Sequence, residues 1–187
     1  MGAESAGVDA ESAGMNTERL TWFNKLPARA AQQALRECCS APRWAERMLA
    51  ARPYASGENA IRQSGAIVSA LTVTDLAQAL AGHPRIGERP DSGDGSPQAA
   101  AWSRREQSGV DADDAETRRA LTQGNLEYEQ RFGHIYLVCA SGRTGKELLD
   151  VLRGRLQNEA DDEWQVVRTE LQKINALRLQ RLLAGLP

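Results

Sequence analysis

The chain has 187 residues, of which 41% are hydrophobic, and its formal net charge is -2. A chain of this size and apolar content can bury a substantial core as a single domain without disulfides or metal. Because the charge is nearly balanced and the pI is near 5.8, no basic surface is expected, and neither nucleic acid nor a membrane surface is a predicted partner.

The cysteine and histidine content argues against a disulfide framework and against a zinc site. Three cysteines are an odd number, and no cysteine or histidine pair has the spacing of zinc ligands. There is no signal-peptide core and no apolar run of twenty residues. We therefore expect a cytoplasmic protein without a metal.

The first 14 residues have the composition of a disordered tail. They contain only Met, Gly, Ala, Glu, Ser, Val and Asp and include the near-repeat Ala-Glu-Ser-Ala-Gly. Since they have no periodic apolar face, we expect residues 1–14 to be a disordered extension or an expression remnant, with Met15 as a natural start. Residues 15–187 are predicted to form one helical domain.

Helix-opening residues recur through the first half of the chain. Proline suits the first turn of a helix, and serine and threonine suit the N-cap. The helix after Thr74 is expected to stop at Gly82, a residue that suits a left-handed cap. The expected helix starts are Thr17, Pro27, Pro42, Ser56 and Thr74.

The run Gly82-His83-Pro84-Arg85-Ile86-Gly87-Glu88 follows this helix directly. The helix dipole favours imidazolium at the carboxyl end, and Pro84 biases His83 towards an extended backbone. His83 is therefore a candidate acid or base presented from a stiffened turn. The alternative is that the His-Pro pair only ends a helix.

Loop and helix signals alternate after the histidine. Residues 89–96 are rich in Asp, Gly, Ser and Pro and are predicted to form a surface loop. A helix is expected to begin at Ser96-Pro97 and to end at Gly109. A long helix is expected from about Asp113 to Arg131.

Residues 135–140, Ile-Tyr-Leu-Val-Cys-Ala, are a short apolar run of β-favouring types. A sheet needs partner strands, and the rest of the chain offers none, so we predict a buried extended connector or a helical turn inside an all-α, single-domain bundle. Thr144 with Glu147 then forms a capping box. Asp161 or Asp162 opens a final helix whose apolar stripe is expected to be core or a dimer seam.

Two groups of polar residues are further site candidates. Ser103, Glu106 and Gln107 lie at i, i+3 and i+4, so they share one helix face. Arg143 precedes a helix amino terminus, where an anion finds a guanidinium and free backbone amides. The alternatives are a solvated helix face and a plain surface arginine.

Two other reactive residues are weaker candidates. Cys139 lies in the most apolar run of the chain, so a buried thiol is a better interpretation than a nucleophile. His134 is expected to satisfy a local hydrogen bond or to line a pocket. Between Gly142 and Gly145 the spacing is too short for a phosphate-binding loop, which argues against a nucleotide.

Taken in order, these motifs resemble one enzyme family, the OHCU decarboxylases, which act on 2-oxo-4-hydroxy-4-carboxy-5-ureidoimidazoline in urate breakdown. The resemblance covers about residues 17–183 and continues into the last two helices. The motifs that carry it are Gly82 to Glu88, Ser103-Arg-Arg-Glu106-Gln107, Arg131-Phe-Gly-His-Ile-Tyr-Leu-Val and Gly142-Arg143-Thr144.

The resemblance implies an all-α homodimer that needs no cofactor and converts OHCU to (S)-allantoin and carbon dioxide. It implies that His83 and Glu106 are the catalytic residues: His83 contacts the hydroxyl on the reacting carbon and acts in proton transfer, and Glu106 holds or polarises the ring and ureido nitrogens. It also implies that Arg143 anchors substrate oxygens. The other substrate contacts that it implies are Pro84, Ser103, Gln107, Ile135, Tyr136, Leu137 and Val138.

Two other functions stay open at this point. One is a non-catalytic helical interaction domain whose seam is the final helix, and the other is an enzyme of the same fold that acts on a different ureido or imidazoline acid. An enzyme requires His83, Glu106 and Arg143 in one concave pocket, whereas an interaction domain leaves them scattered on the surface.

Overall fold

A computed structural model of the protein describes residues 17–88, 96–111 and 115–185. These residues form helices and irregular segments, and no β-strand occurs among them, which confirms the all-α prediction. The expectations for residues 1–14, for most of the 89–96 loop and for the helix start at Asp113 lie outside the described residues.

The helices of the described residues are numbered α1 to α10 in chain order. The helix pairs with the most extensive contacts are α10 with α4, α8 with α9, and α2 with α3. None of these helices is both long and apolar enough to cross a membrane. Their bounds are α1 17–25, α2 Ala28–Cys38, α3 Pro42–Ala50, α4 Gly57–Ser69, α5 Val73–Leu80, α6 Pro97–Glu106, α7 Ser108–Asp111, α8 Ala115–Phe132, α9 Gly145–Arg155 and α10 Ala160–Ala184.

Several predicted helix starts are observed. Pro42 occupies the first turn of α3. The side chains of Ser56, Ser96 and Thr144 each accept a hydrogen bond from the backbone N–H three residues later. Glu147 returns a bond to the backbone of Thr144, so the predicted capping box of α9 is present. Each cap satisfies helix-end donors that would otherwise lack a partner.

Two predicted helix starts are wrong by one or two residues. Helix α5 begins after Thr72, whose side chain accepts from the backbone N–H of Asp75 and whose own N–H donates to the Asp75 carboxylate. Thr74 has no such partner three residues on, and it lies inside the helix. Helix α10 begins after Glu159, before the predicted Asp161.

Two glycines are required for close packing and not for the helix ends that the sequence suggested. Gly82 has no positive φ, so it is not a left-handed cap, but a Cβ there would lie 1.6 Å from Ser40 Oγ. Gly109 does not end α6, which stops at Glu106, and lies within α7. A Cβ at Gly109 would lie 2.2 Å from the carbonyl oxygen of Arg143.

Residues 135–140 form the predicted buried extended connector, which runs between two apolar clusters. Leu137 belongs to the larger cluster, and Ile135 and Cys139 pack against it. Tyr136 and Val138 belong to the smaller cluster, which lies between α8, α9 and the connector. Alternate side chains therefore point to opposite sides, as in an extended chain.

The stripe on α10 is largely core. Val167, Leu171, Ile174 and Leu182 are buried in the larger cluster. The same face also buries charged residues, which an apolar stripe does not predict. They are Glu163, Glu170 and Arg178.

Candidate active site

A cleft opens between the loop after α5, helix α6, the connector and α10. Its space, the open mouth included, is about 360 Å³. An apolar wall with a few converging polar groups is typical of a small-molecule site. The predicted site residues that line it are His83, Pro84, Ser103, Glu106, Gln107, Tyr136, Leu137 and Val138.

The cleft also has lining residues that were not predicted, namely Ile86, Cys139, Ala140 and Ile174. Two of the predicted contacts do not line it. Ile135 packs against the larger apolar cluster. Arg143 is half-buried and lies outside the lining. Its backbone N–H donates to the carbonyl oxygen of Ala140 at 3.0 Å. The role expected for Arg143 therefore stays a prediction.

The loop that carries His83 is anchored through its backbone to two helices. The side chain of Gln107, the residue that follows α6, accepts from the backbone N–H of Gly87 at 3.0 Å and donates to the carbonyl of Arg85 at 3.3 Å. Asn125 of α8 donates to the carbonyl of Ile86 at 2.8 Å. Two of the four hydrogen-bonding positions of the Gln107 amide are thus used to hold the loop, which limits it as a substrate contact.

A bidentate ion pair fixes the same loop to α8. The guanidinium of Arg85 bonds both carboxylate oxygens of Glu129, and the Nη2–Oε2 distance is 2.9 Å. This pairing lowers the pKa of Glu129 and raises that of Arg85. The turn that presents the histidine is therefore held at several points.

The His83 ring belongs to the lining of the cleft. Its Nε2 atom is buried and has no hydrogen-bond partner among the described residues. Burial, followed by the charge of Arg178, lowers the pKa of His83 well below its usual 6.5. Desolvation outweighs the helix dipole here, so the resting ring is neutral, in contrast to the imidazolium that a helix end favours.

Glu106 lies in a buried cluster of charges and not on a solvated helix face, since only 8% of it is exposed. Arg178 donates to both of its oxygens, at 3.0 Å from Nε and 2.9 Å from Nη2. Arg181 donates to Oε1 at 2.8 Å, and Ser103 Oγ accepts from Arg178 at 3.1 Å. The carboxylate and hydroxyl are therefore held rigidly from α10.

The bonds to Glu106 limit what it can still accept. A carboxylate offers about four acceptor positions. Arg178 Nε and Arg181 occupy two on Oε1, and Arg178 Nη2 occupies one on Oε2. About one position, on Oε2, is left for a donor in the cleft.

Arg178 and Arg181, which bond Glu106 from α10, were not predicted as site residues from the sequence. Glu163, Glu170 and Arg178 lie on the same helical spacing as the apolar stripe of α10. Because charged residues are rarely buried unless paired, charges on an apolar stripe indicate buried partners. That pattern was readable in the sequence, although the partner of each charge was not.

Two candidates remain. Cys139 has the properties of a weak nucleophile, and His134 has those of a structural residue. Burial raises the pKa of the Cys139 thiol, which disfavours a reactive thiolate although the residue lines the cleft. His134 lies outside the cleft, with Nδ1 3.1 Å from the carbonyl oxygen of Ile135 and its ring 4.1 Å from that of Trp164. Within the described residues, no group of three or more His, Cys, Asp or Glu could hold a metal ion.

Comparisons with known proteins agree on one family. The OHCU decarboxylase family model matches residues 24–180. A 2-oxo-4-hydroxy-4-carboxy-5-ureidoimidazoline decarboxylase of Amia calva is 30% identical over 71% of this chain and 75% of its own length. A uric acid degradation bifunctional protein of Arabidopsis thaliana is 30% identical over 78% of this chain, which spans 45% of that longer protein.

A solved structure extends the agreement to three dimensions. The crystal structure of an OHCU decarboxylase in the presence of (S)-allantoin superimposes with a TM-score of 0.68 and 30% sequence identity. The match covers 79% of this chain and 95% of that one. An (S)-allantoin synthase matches with a TM-score of 0.63 at 16% identity, which supports the fold alone.

Proposed function

The chain belongs to the OHCU decarboxylase family, and from this premise we propose that its cleft converts OHCU to (S)-allantoin and carbon dioxide. The observation that carries the proposal is the buried Nε2 of His83, which has no hydrogen-bond partner in the described part of the chain, in a residue that lines the same cleft as Glu106. A non-catalytic interaction domain gives no reason for these two groups to share a cleft.

The chemistry of the substrate explains what the protein needs to supply. In OHCU the carbon that carries the carboxylate also carries a hydroxyl and lies next to a ring imine. When the bond to carbon dioxide breaks, its electron pair forms a double bond between the two ring carbons, and the imine nitrogen takes up the displaced pair. We therefore propose that no cofactor is required as an electron sink, and that the protein orients the substrate and moves protons.

His83 is proposed to accept the proton of the substrate hydroxyl. The loss of carbon dioxide, with a proton taken up by the former imine nitrogen, leaves an enol. This enol becomes the ring amide carbonyl of allantoin as the hydroxyl loses its proton and the neighbouring carbon gains one. A neutral imidazole can accept that proton, and the lowered pKa keeps His83 neutral near pH 7. The donor of the proton on carbon is not assigned.

Glu106 is proposed to hold a ring or ureido N–H of the substrate at the acceptor position left on Oε2. Arg178 and Arg181 keep the carboxylate oriented, and with one carboxylate against two guanidiniums the cluster carries a net positive charge. This charge favours an anionic substrate. Arg143 is proposed as a further anchor of substrate oxygens.

The apolar part of the cleft is proposed to strip water from the carboxylate. Ile86, Val138 and Ile174 are buried side chains of the lining, and Pro84 shapes the wall beside the histidine. In a site of low dielectric the carboxylate loses hydration, whereas carbon dioxide, which is neutral, loses little. Desolvation therefore lowers the barrier from the bound substrate to the transition state of decarboxylation.

The test is to generate OHCU in situ from urate with the preceding enzymes and to follow allantoin by circular dichroism. We expect this protein to accelerate formation of the S enantiomer, with unchanged rate after treatment with a metal chelator. Formation of racemic allantoin at the spontaneous rate would refute the proposed decarboxylase activity. A different ureido or imidazoline acid that reacts faster would support the same-fold alternative.

We further propose that the protein acts as a cytoplasmic homodimer. The support for the dimer is the family resemblance, and the support for the cytoplasm is the odd number of cysteines, which does not suit a disulfide framework. Light scattering coupled to size-exclusion chromatography tests the dimer, and a mass of one chain at micromolar concentration would contradict it.

A further inference from the structure

The backbone of the connector is held from one edge by two buried charged side chains. Arg155 of α9 donates from Nη1 to the carbonyl of Leu137 at 2.6 Å. Glu170 of α10 accepts from the N–H of Cys139 at 2.8 Å. Arg155 is 6% exposed and Glu170 is 7% exposed, so both anchors are shielded from water. Bonds from charged groups to backbone are stronger than neutral ones.

The residue between the two anchored positions faces the opposite way. In an extended chain the N–H and C=O of one residue point to the same edge, and those of the next residue point to the other edge. Leu137 and Cys139 therefore share the anchored edge, and Val138 presents its N–H and C=O on the opposite edge. Among the described residues neither backbone group of Val138 has a hydrogen-bond partner, although the residue is buried and lines the cleft.

We propose that Glu170 and Arg155 are positioning residues that hold the connector from behind, so that the N–H and C=O of Val138 are presented to the substrate as a fixed donor and acceptor. Buried backbone groups without a protein partner need one from a ligand or water. A ring that carries adjacent N–H and C=O groups, as OHCU does, matches such a pair. The presentation of Val138 to the substrate rests on the proposed function, whereas the anchoring of the connector by Glu170 and Arg155 does not.

Glu170 is the better residue to change, because Arg155 also belongs to a buried network with Tyr128 and Glu163. Loss of Arg155 would leave Glu163, which is completely buried, short of its partner. Glu170 has a second contact, an ion pair with Lys173 at 2.6 Å, and the Lys173 side chain is 48% exposed. Lys173 therefore offers a matched control that leaves the bond to Cys139 in place.

The experiment compares Glu170→Met, Glu170→Gln and Lys173→Met with the wild type. Methionine keeps the volume without an acceptor, and glutamine keeps one oxygen that can accept from Cys139. We expect E170M to raise KM about tenfold with kcat within about threefold, because a backbone contact binds substrate and transition state alike. E170Q and K173M are expected to stay within about threefold of the wild-type KM.

Amide hydrogen exchange gives a second readout that does not need activity. Within residues 17–88, 96–111 and 115–185 the Cys139 amide has no backbone acceptor, so its protection in the wild type is expected to depend on Glu170. We expect E170M to speed its exchange about tenfold relative to E170Q and K173M. Exchange of Cys139 at the unprotected rate in the wild type would overturn the anchor even if E170M did not fold.

The outcomes separate the anchor from the activity. A folded E170M with wild-type KM and wild-type exchange, or an E170Q as impaired as E170M, would overturn the proposal. Faster exchange in E170M with unchanged KM would retain the anchor and overturn the presentation of Val138. A wild type with slow Cys139 exchange but no OHCU decarboxylation would refute the proposed function and leave the anchor standing.

Discussion

At the scale of single residues, burial decides the chemistry of His83. A helix carboxyl end favours imidazolium by about 1 kcal/mol. Desolvation in the cleft and the nearby Arg178 act in the other direction and lower the pKa of the ring well below 6.5. Arg178 acts on both residues of the site. Its positive charge disfavours the protonated form of His83, and the same guanidinium pairs with the carboxylate of Glu106.

The first residue-scale prediction concerns turnover. His83→Ala is expected to lower kcat at least about 10²-fold, the lower range for a positioned acid or base. The measurement is the initial rate of (S)-allantoin formation, with circular dichroism to verify folding. His134→Ala is the matched control, since that ring lies outside the cleft. A folded H83A with near-normal kcat would exclude the role in proton transfer.

The second residue-scale prediction concerns pH and stability. Below the usual pKa of 6.5, unfolded His83 binds a proton that the folded ring does not bind until its own lower pKa is reached. The free energy of unfolding should therefore fall as pH falls through this window, by about 1 kcal/mol between about pH 7.5 and about pH 5.5. Urea unfolding at both pH values measures it.

The variants His83→Asn and His134→Asn separate the two histidines in that experiment, because burial also lowers the pKa of His134. H83N should lose a large part of the pH dependence and H134N a further part. An H83N protein with the full wild-type pH dependence would show that His83 is not the group that titrates.

At the scale of elements, the ends of helices are set by packing as much as by local signals. Thr72 and not Thr74 caps α5, because Asp75 completes its capping box. Gly82 follows that helix without a positive φ, and its missing side chain lets the loop approach Ser40. The approach of the loop to α2 and α3 thus depends on a contact between residues that are 42 positions apart.

The element-scale prediction tests this close approach. Gly82→Ala should destabilise the fold by about 1–3 kcal/mol, as overpacking does, because the new Cβ would lie 1.6 Å from Ser40 Oγ. Ser40→Gly in the same protein should restore most of the loss. Gly65→Ala is the control, since nothing lies within 4 Å of its Cβ and alanine favours a helix. Thermal unfolding distinguishes the three, and a G82A protein as stable as G65A would contradict the explanation.

At the scale of the whole molecule, the cleft is where four distant segments meet between two apolar clusters. The loop after α5 supplies His83, α6 supplies Glu106, the connector supplies part of the wall, and α10 supplies Ile174. The guanidiniums of α10 hold Glu106 from outside the lining. Helix α10 links these parts through two buried charged side chains. Arg178 donates to Glu106 of α6, and Glu170 accepts from the backbone N–H of Cys139 in the connector.

We predict that the two arginines of α10 that pair with Glu106 contribute unequally to the free energy of unfolding. Arg178→Met should cost about 3–5 kcal/mol in the free energy of unfolding, because it leaves the buried Glu106 with one guanidinium. Arg181→Met should cost about 1 kcal/mol, since Arg181 is more exposed and Glu106 keeps its bidentate partner. Urea unfolding at neutral pH measures both. Equal losses for the two variants would contradict the assigned geometry.

The helical class and the caps at Ser56, Ser96 and Thr144 were readable from the sequence alone, because they depend on local periodicity and on side chains three residues apart. For residues 135–140 the sequence predicted a buried extended connector or a helical turn, and the structure has the extended form. The sequence also singled out His83 and Glu106 through motif order. Family membership then followed from the comparisons with known proteins.

Only the tertiary structure decided which charges meet. The pairing of Glu106 with Arg178 spans 72 positions, and no local pattern specifies the partner of a buried charge. The protonation state of His83 was likewise decided by burial, which reversed the preference of the helix end. Both outcomes follow from one physical fact: the cost of removing a charge from water depends on what the fold places around it.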